Sequence, residues 1–468
     1  MSDPRPRNLL VLLWDELQRD TLGLYGGPVP TPACDGLAER GVVFDRYYCA
    51  NPLCVPTRPS MMGGRWPHQH GSVTFGKEYA TMKPGEELMI DRLADAGYHI
   101  GYQGIWHITR APEDDRSAEY ALFKEEGFAR EQYLEMLIEQ GGKDGDQSGP
   151  VNFHSDHGTI EGKLSIPVPA RWTRPIEEHL DMQRAHSIAD FILNAPDDRP
   201  FAAWCSSGIP HPPLLVPEEF VDLFDSTDMT PPPGFGEDRC GMPDAVAKAP
   251  GYQCIADWGW DRWAVAIAAY YGFLAFGDAC HRVVLDALEQ SGRAEETLVV
   301  MTCDHGEMLG AHNMYQKGCM YEDSIRLPFV IAGPGIAPGR RGQLASQTDM
   351  APTILELLGL PALKEASGKS LVPIIRDAAA PGPEYTFSEF NGEIDGGNKI
   401  RTCISERYKY SYYHEDPIDQ LFDLDEDTDE LSNLATDPDY ADITREMQTV
   451  LARWMRETDD YITPQWPD

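Results

Sequence analysis

Short apolar runs alternate with helix-like segments along most of the chain, and this alternation restricts the fold more than any other feature. The run NLLVLLW at residues 8–14 has the length and apolarity of a buried strand, and so does LVVMTC at residues 298–303. A long helical region, AVAIAAYYGFLAFGDACHRVVLDALEQSG, ends at Gly292. Strands that alternate with helices of this length indicate a sheet covered on both faces. We therefore predict an α/β fold with a mostly parallel sheet sandwiched by helices.

The composition changes near residue 376. The stretch DAAAPGPEY, which starts at Asp377, is rich in Ala, Pro and Gly, as linkers are. After it, YTFSEF, IRTCISERYKYSYYH and DQLFDLD have the pattern of antiparallel strands, and YADITREMQTVLARWMRE that of an amphipathic helix. We predict a main α/β domain over residues 1–375 and a smaller α+β subdomain over residues 376–468, with an antiparallel sheet and a C-terminal helix.

Two segments interrupt the alternation. Residues 110–175 and 213–250 are rich in Gly, Pro, Asp and Glu, which is typical of long surface excursions. Such excursions serve as lids or as contacts between subunits. We expect a homo-oligomer, either a dimer or a tetramer.

The charge of the chain excludes two classes of partner. The 39 Lys and Arg residues are outnumbered by 76 Asp and Glu residues, so the formal net charge is −37 at pH 7. Such a surface repels polyanions, and we expect neither a nucleic-acid partner nor a membrane partner. A small anionic ligand must then be held by a local group of positive charges.

The N-terminus and the cysteines indicate the compartment. The apolar run in MSDPRPRNLLVLLWDE is too short for the core of a signal peptide and ends in two carboxylates. The 10 cysteines lie scattered, without paired metal-site spacing, which favours reduced thiols over disulfides. We expect a cytoplasmic protein in which Cys205, Cys280, Cys303 and Cys319 are small core residues.

Two of the predicted strands end in acidic side chains. Asp15 and Glu16 follow the first strand, and Asp304 and His305 follow LVVMTC. Ligands of open parallel sheets sit beyond the carboxyl ends of the strands, so these side chains can converge on one metal ion. Carboxylate oxygens with an imidazole suit a hard or borderline divalent cation. Either aspartate alone would be interpreted as a cap of the following turn; two at similarly placed strand ends favour a metal site.

Cys54 differs from the other cysteines in its surroundings. In NPLCVPTRPSMMGGRWPHQHG, residues 51–71, it precedes the start of a helix, where the helix dipole favours an anion, and Arg58 follows one turn later. A structural thiol is the usual interpretation, and a thiolate nucleophile is the alternative, which needs a base that spacing alone does not identify. His68 and His70 are interpreted as structural.

The same stretch carries a family signature. CVPTRPSMMGGR resembles the sulfatase signature, C-x-P-x-R followed by a small-residue helix and Gly-Arg, in which the cysteine is converted after translation to formylglycine. Other segments are similar to family segments in the same order along nearly the whole chain: NLLVLLWDE, GYQGIWH, PHPPLLVP, DHGEMLGAH, YQKG and LFDLDEDTDELSNLA. The chain thus resembles the sulfatase branch of the alkaline phosphatase superfamily, which includes arylsulfatases and phosphonate monoester and phosphodiester hydrolases. The resemblance implies an alkaline phosphatase-like fold.

The resemblance also implies a metal centre and a modified nucleophile. Asp15, Asp304 and His305 would hold one divalent cation, Ca²⁺ or Mn²⁺, and formylglycine derived from Cys54 would complete the site. Glu16 stands where arylsulfatases commonly have a second aspartate, and it would be a ligand or lie behind the ligands. One hydroxyl of the hydrated aldehyde would attack sulfur or phosphorus, and the other would later expel the product by C–O cleavage. A formylglycine-generating enzyme would be a required partner.

Four further residues acquire roles from the resemblance. Arg58 would orient the diol, and Lys317 would bind the ester oxyanion. His107 and His211 would exchange protons with the leaving group and the diol, and either could be the general acid. Ile105 stands where the family usually has a lysine, so the oxyanion site lacks one cation.

The predicted activity is metal-dependent hydrolysis of sulfate monoesters, an arylsulfatase-like reaction, with side activity on phosphonate monoesters and phosphodiesters. Val55 and Thr57 fit C-x-P-x-R without being its commonest residues. Two alternatives stay open: a phosphonate monoester hydrolase or phosphodiesterase as the main activity, and a catalytically poor binding protein whose Cys54 is unconverted. The substrate in each case is a small anionic ester.

Overall fold

The computed structural model describes residues 5–76, 78–139, 169–238, 242–249, 255–256, 258–392, 398–464 and 466. The strands in this part of the chain are β1 (Asn8–Asp15), β2 (Val42–Tyr48), β3 (His99–Gly104), β4 (Leu122–Glu125), β5 (Pro169–Trp172), β6 (Phe201–Pro210), β7 (Leu214–Pro217), β8 (Thr297–Cys303), β9 (Arg326–Ala332), β10 (Gly339–Ser346), β11 (Thr386–Asn391), β12 (Lys399–Ile404), β13 (Tyr408–Tyr413) and β14 (Gln420–Asp423).

Most α-helices of the described residues lie along the largest sheet and connect its strands, and the C-terminal one lies on the small sheet. They are α1 (Pro32–Ala38), α2 (Cys54–Gly63), α3 (Pro67–His70), α4 (Met89–Asp95), α5 (Arg130–Glu139), α6 (Leu180–Leu193), α7 (Glu218–Val221), α8 (Asp244–Ala247), α9 (Trp260–Gln290), α10 (Glu322–Ile325), α11 (Met350–Leu358), α12 (Val372–Arg376) and α13 (Ala441–Glu457).

The largest sheet has eight strands in the order β10-β2-β9-β8-β1-β6-β3-β4. The β1 strand pairs in parallel with both β8 and β6, so it lies in the middle of the sheet. The β9 strand runs antiparallel to its neighbours β2 and β8, and the other pairings of this sheet are parallel. The predicted mostly parallel sheet between helices is confirmed.

The continuous apolar run of β1 follows from burial on both faces. Alternate residues point to opposite faces of a strand; Leu9, Val11 and Leu13 belong to one hydrophobic cluster, and Leu10, Leu12 and Trp14 to the other. Every residue of β1 is buried. A central strand under two layers of helices therefore has no solvent face on which to place polar side chains.

The small second sheet contains β11, β12, β13 and β14 in sequence order, with antiparallel pairing throughout. The α13 helix packs on β12 and β13, and its Leu451 and Trp454 share a hydrophobic cluster with Cys403 and Tyr410. The predicted antiparallel sheet with a C-terminal helix is confirmed. The domain boundary at residue 376 stays a prediction.

The sequence patterns missed some elements. The edge strand β10 has a half-exposed, charged sequence, GRRGQLAS, because an edge strand with a solvent face needs no continuous apolar run. The excursion predicted at 110–175 contains β4, α5 and β5. Its residues 140–168 lie outside the described residues. In the excursion at 213–250, β7 pairs with β5, and residues 239–241 and 250 are not described.

The α9 helix packs unusually close to β1. Within the described residues it is the one helix long and apolar enough to cross a membrane, but 83% of its most apolar window is buried, as in a core helix. A Cβ atom added at Gly277 of α9 would lie 2.3 Å from Trp14 Cζ3 and 2.9 Å from Ile209 Cγ2. The missing side chain at Gly277 thus lets the helix approach the strand that ends at Asp15.

We predict that Gly277→Ala lowers the unfolding temperature, because overpacking of a core contact costs about 1–3 kcal/mol, more than the gain in helix propensity. The matched control is Gly36→Ala in α1, where an added Cβ meets no atom within 4 Å. That variant should be neutral or stabilised by up to about 1 kcal/mol. Calorimetry of both variants measures the difference, and equal unfolding temperatures would contradict the close packing.

Candidate active site

The carboxyl ends of five parallel strands bring the predicted site residues to one edge of the large sheet. Asp15 ends β1, and Asp304 follows β8, the neighbouring parallel strand. His107 follows β3, His211 follows β6, and β2 leads into α2 with its Cys54. Such an edge is where open α/β sheets bind ligands.

A buried arginine joins the two aspartates. The Arg58 Nη2 group donates to Asp15 Oδ2 at 2.7 Å, and Nε donates to Asp304 Oδ2 at 3.0 Å. All three side chains are at most 2% exposed. Although burial opposes it, the two carboxylates raise the pKa of Arg58 above its usual value, so the guanidinium is charged.

The cysteine lies against the same carboxylates. Cys54 is the first residue of α2, so the helix begins at the cysteine itself. Its Sγ atom is 3.3 Å from His305 Nε2, and this nitrogen is 3.7 Å from Asp304 Oδ2. Burial, followed by the charge of Asp15, raises the pKa of the Cys54 thiol well above its usual value. The encoded cysteine is thus a neutral thiol and a poor nucleophile.

Gln347 fixes α2 relative to the end of β8. Its Nε2 group donates to the Asp304 carbonyl oxygen at 2.6 Å, and its Oε1 atom accepts from the Thr57 hydroxyl and from the Ala50 N–H at 2.9 Å. Thr57, which is not the commonest residue at its signature position, therefore has a specific partner. This link holds Cys54 at a set distance from Asp304.

The donor set fits a divalent cation. Ligand atoms of Asp15, Cys54, Asp304 and His305 all lie within 4.8 Å of one another and are buried. Asp15 Oδ1 is buried and has no hydrogen-bond partner among the described residues, as expected of an atom that faces a metal ion. Carboxylates with one imidazole suit a hard or borderline divalent cation.

Glu16 connects the cluster of possible metal ligands (Asp15, Cys54, Asp304 and His305) to the other predicted residues. Its Oε2 atom accepts a hydrogen bond from Lys317 Nζ and lies 3.1 Å from His211 Nε2. Ligand atoms of Asp15, Glu16 and His211 also lie within 4.8 Å of one another. Burial opposes the charge of Lys317, but Glu16 holds the pKa of this lysine above its usual value, so a positive charge is kept at the site.

The electrostatics of the two aspartates differ. Burial, followed by repulsion from Asp304, raises the pKa of Asp15 well above its usual value. Asp304 is equally buried, but His305 and Arg58 outweigh the burial and hold its pKa below the usual value. Two carboxylates at adjacent strand ends therefore need added positive charge before both are ionised.

The turn after β3 presents His107. Gly104 has a φ of +113°, and a Cβ atom there would lie 1.8 Å from the Ser206 carbonyl oxygen, so only glycine fits. The Ile105 carbonyl that follows accepts from Arg58 Nη1 and from the Ser206 hydroxyl. Burial, followed by the charge of Arg58, lowers the pKa of His107 to about 4, so its imidazole is neutral near pH 7.

One phenylalanine contacts both of the predicted proton-transfer histidines. The Phe128 ring stacks on His211 with centroids 3.8 Å apart and 9° between the planes, and its centroid is 6.2 Å from that of His107. Burial lowers the pKa of His211 well below its usual value. Both histidines are therefore neutral and can accept a proton.

Glu307 orders the loop that carries Lys317. Its Oε1 atom accepts the N–H groups of Leu309 at 2.9 Å and Gln316 at 2.7 Å, and the Met308 N–H donates to the Gln316 carbonyl at 2.8 Å. One carboxylate thus closes the loop whose next residue is the lysine.

The structure places the residues predicted from sequence in three groups. Asp15, Cys54, Arg58, Asp304 and His305 touch directly, while Lys317 and His211 join them through Glu16. His107 lies beside them and contacts Phe128. Outside these groups, His68 Nδ1 bonds to Glu389, and His70 Nε2 lies 2.9 Å from Ser60 Oγ.

Sequence reasoning missed four residues that build the site. Ser206 lies within β6 and not at its end, so the rule that identified Asp15 did not point to it. Glu307 lies in the segment DHGE, and nothing in that segment indicates that the Glu307 side chain closes the following loop. Phe128 and Gln347 had no signal, since their contacts depend on the tertiary fold.

Comparison with known proteins agrees with this geometry. The family profile described as Sulfatase matches residues 7–360, and one described as N-sulphoglucosamine sulphohydrolase, C-terminal, matches residues 310–457. The chain is 26% identical to an arylsulfatase of Clostridium perfringens, with 97% of this chain and 96% of the relative aligned. It is 28% identical to a delta 4,5-hexuronate-2-O-sulfatase of Bacteroides thetaiotaomicron, with 97% and 89% aligned.

Among solved structures, the phosphonate monoester hydrolase of Agrobacterium radiobacter has the same fold. Its TM-score is 0.80 at 23% identity, over 97% of this chain and 96% of that one. The profile match spans most of the chain and includes every residue placed at the site, from Asp15 to Lys317. The chain therefore belongs to the sulfatase family of the alkaline phosphatase superfamily, a family of sulfuric ester hydrolases.

Proposed function

We propose that this protein hydrolyses sulfate monoesters with a formylglycine nucleophile made from Cys54, and that it acts more slowly on phosphonate monoesters and phosphodiesters. The observation that carries the proposal is the position of Cys54 Sγ, which shares one buried cluster with Asp15, Asp304 and His305. The relatives named as sulfatases support it. A formylglycine-generating enzyme is the partner that this proposal requires.

Hydrated formylglycine supplies two geminal hydroxyls, one to attack the ester sulfur and the other to expel sulfate afterwards by C–O cleavage. The substrate would not be the only partner of Arg58, because the guanidinium donates hydrogen bonds to Asp15 and Asp304. Its role is to fix the two carboxylates around position 54. Lys317 holds an ester oxygen, since it is the other buried cation of the group.

The neutral histidines handle protons. His211 and Lys317 both contact the Glu16 carboxylate. The buried Nδ1 atom of His107 has no hydrogen-bond partner in the described residues. Each can take a proton from a diol hydroxyl or, once protonated, give it to the leaving oxygen. Both rings pack against Phe128, so both serve the same region of the substrate.

One divalent cation, Ca²⁺ or Mn²⁺, would be held by Asp15, Asp304, His305 and the modified residue 54, with Glu16 beside them. When bound, it would polarise the ester and favour ionisation of the attacking hydroxyl. If Asp15, Glu16 and Asp304 are ionised, they nearly cancel the charges of Arg58, Lys317 and the cation and leave one positive charge. This one remaining positive charge matches a monoanionic ester better than a dianionic one.

Phosphonate monoesters as the main substrate are the second candidate. The same charge balance favours them, because they are monoanions too, and Ile105 in place of the family's usual lysine leaves the site short of one cation. Sulfate esters come first because the signature around Cys54 is that of arylsulfatases. An unconverted binding protein is the third candidate, and the buried charges around Cys54 argue against it, since simple binding does not require them.

We predict that Cys54→Ala abolishes turnover of 4-nitrophenyl sulfate, because a methyl side chain carries no thiol that can be oxidised to the aldehyde. The measurement is the release of 4-nitrophenol, with the unfolding temperature as a check on the fold. The matched control is Cys403→Ala, a buried free cysteine in the small sheet, which should keep the activity. Turnover by Cys54→Ala at the rate of the unaltered protein would refute the proposal.

Removal of either aspartate should release the cation. Asp15→Asn and Asp304→Asn keep the shape and remove a charged ligand, so metal content after gel filtration should fall together with activity, the latter at least about a hundredfold. Asp278→Asn is the control: this buried aspartate accepts the Ala33 and Cys34 N–H groups, outside the site. A full complement of metal in both site variants would contradict the assignment.

The charge argument places the monoanionic esters before the phosphate monoester, and the likeness of the Cys54 signature to that of arylsulfatases places sulfate first among them. In a matched 4-nitrophenyl series, kcat/KM should fall from sulfate through phenylphosphonate and the phosphodiester to the phosphate monoester. Ile105→Lys should raise the phosphate monoester relative to the monoanions by about tenfold or more, because the added cation offsets the second negative charge. The phosphate monoester as the best substrate of the unaltered protein would overturn the order.

A further inference from the structure

We infer that Phe128 is a specificity-determining residue: its ring forms an apolar wall on the leaving-group side of the site and selects esters with an aromatic leaving group. The inference rests on the proposed function, because that function assigns proton transfer to His107 and His211. It starts from the position of the ring, which stacks on His211 and contacts His107. A leaving group that reaches either histidine therefore lies next to Phe128.

The position of this ring is built by the fold. Arg184 Nη2 donates to the Gly127 carbonyl, and Arg184 Nη1 pairs with Asp181 Oδ1 at 2.7 Å. The same Asp181 oxygen accepts the Gly208 N–H at 2.9 Å, in the strand that leads to His211. Arg184 and Asp181 are both at most 3% exposed. One buried ion pair thus fixes the backbone before Phe128 and the backbone before His211.

The absence of a side chain at Gly208 makes room for the ring. A Cβ atom there would lie 3.2 Å from Phe128 Cδ1 and 3.0 Å from Arg184 Nη1. The Glu126 side chain completes the attachment of the segment, since its Oε2 atom accepts from Gln103 Nε2 at 2.6 Å. The two residues before Phe128 are therefore both anchored, and the ring lies against Gly208.

The chemistry of the ring defines the leaving group. Phe128 is half-buried and has no hydrogen-bonding group, so a hydroxyl or carboxylate placed beside it would lose water without gaining a partner. An aromatic leaving group instead gains contact area and ring-to-ring packing. Phe128 should therefore favour aryl sulfates over esters of sugars and of small alcohols.

The test separates the leaving-group side from the anion side. Phe128→Ala should raise KM for 4-nitrophenyl sulfate about tenfold and leave the inhibition constant of inorganic sulfate within about twofold, because sulfate alone does not reach the ring. Phe128→Leu, which keeps an apolar side chain, should restore most of the affinity. Phe224→Ala is the matched control, a half-buried phenylalanine that packs on Tyr271, and it should change neither value.

Binding to the Cys54→Ala background gives a readout that needs no turnover. There, calorimetry should show that Phe128→Ala reduces the preference for 4-nitrophenyl sulfate over methyl sulfate about tenfold. An unchanged preference would overturn the inference, as would equal losses of 4-nitrophenyl sulfate and inorganic sulfate affinity. Lack of turnover by the unaltered protein would count against the proposed function, whereas the binding preference would still decide the role of Phe128.

Discussion

The ion pairs of Arg58 with Asp15 and Asp304 are the interaction on which the site depends. Two adjacent parallel strands end in carboxylates, and in a buried position those like charges repel each other. A guanidinium reaches both at once because it presents several donors in a fixed plane. Its removal would leave two buried anions unpaired, and breaking such a pair typically costs about 3–5 kcal/mol. Arg58 lies one helical turn after Cys54, so the residue that neutralises the carboxylates belongs to the same helix as the proposed nucleophile.

The rest of the site follows from that arrangement. Within the described part of the chain, Asp15 Oδ1 has no hydrogen-bond partner, and a carboxylate oxygen of Asp15 lies within 4.8 Å of the ligand atoms of Cys54 and His305. Lys317 and Glu16 form a second buried ion pair beside the first, which extends the alternation of charge towards His211. The site thus contains two adjacent buried ion pairs that place positive charge next to the substrate. Without them, the net charge of −37 would repel an anionic ester.

Much of this could be predicted from the sequence, for identifiable reasons. The strands β1 and β8 can be recognised in the sequence as apolar runs. The carboxyl ends of parallel strands meet at one edge of a sheet, which predicts that Asp15 lies near Asp304. Ser206 and Gln347 could not be found that way, because their partners lie tens or hundreds of residues away and depend on strand order. Glu307 was missed for another reason: its partners are N–H groups of the loop that follows it, and the sequence does not show how that loop folds. Phe128 lies in a segment with no periodicity, and only the fold brings its ring onto His211. The antiparallel direction of β9 could not be predicted either, since an apolar run carries no information about strand direction.

The central claim is that Cys54 does its chemistry as formylglycine, and mass spectrometry tests it most directly. The peptide from Tyr47 to Arg65 should survive trypsin intact, because Arg58 precedes a proline, and it contains Cys49 as an internal reference thiol. From protein made with a formylglycine-generating enzyme present, we expect this peptide to be lighter by the difference between a thiol and an aldehyde, to take up one alkyl group, at Cys49, and to react with a hydrazide at position 54. A peptide that takes up two alkyl groups and no hydrazide, from a preparation that hydrolyses 4-nitrophenyl sulfate, would contradict the claim.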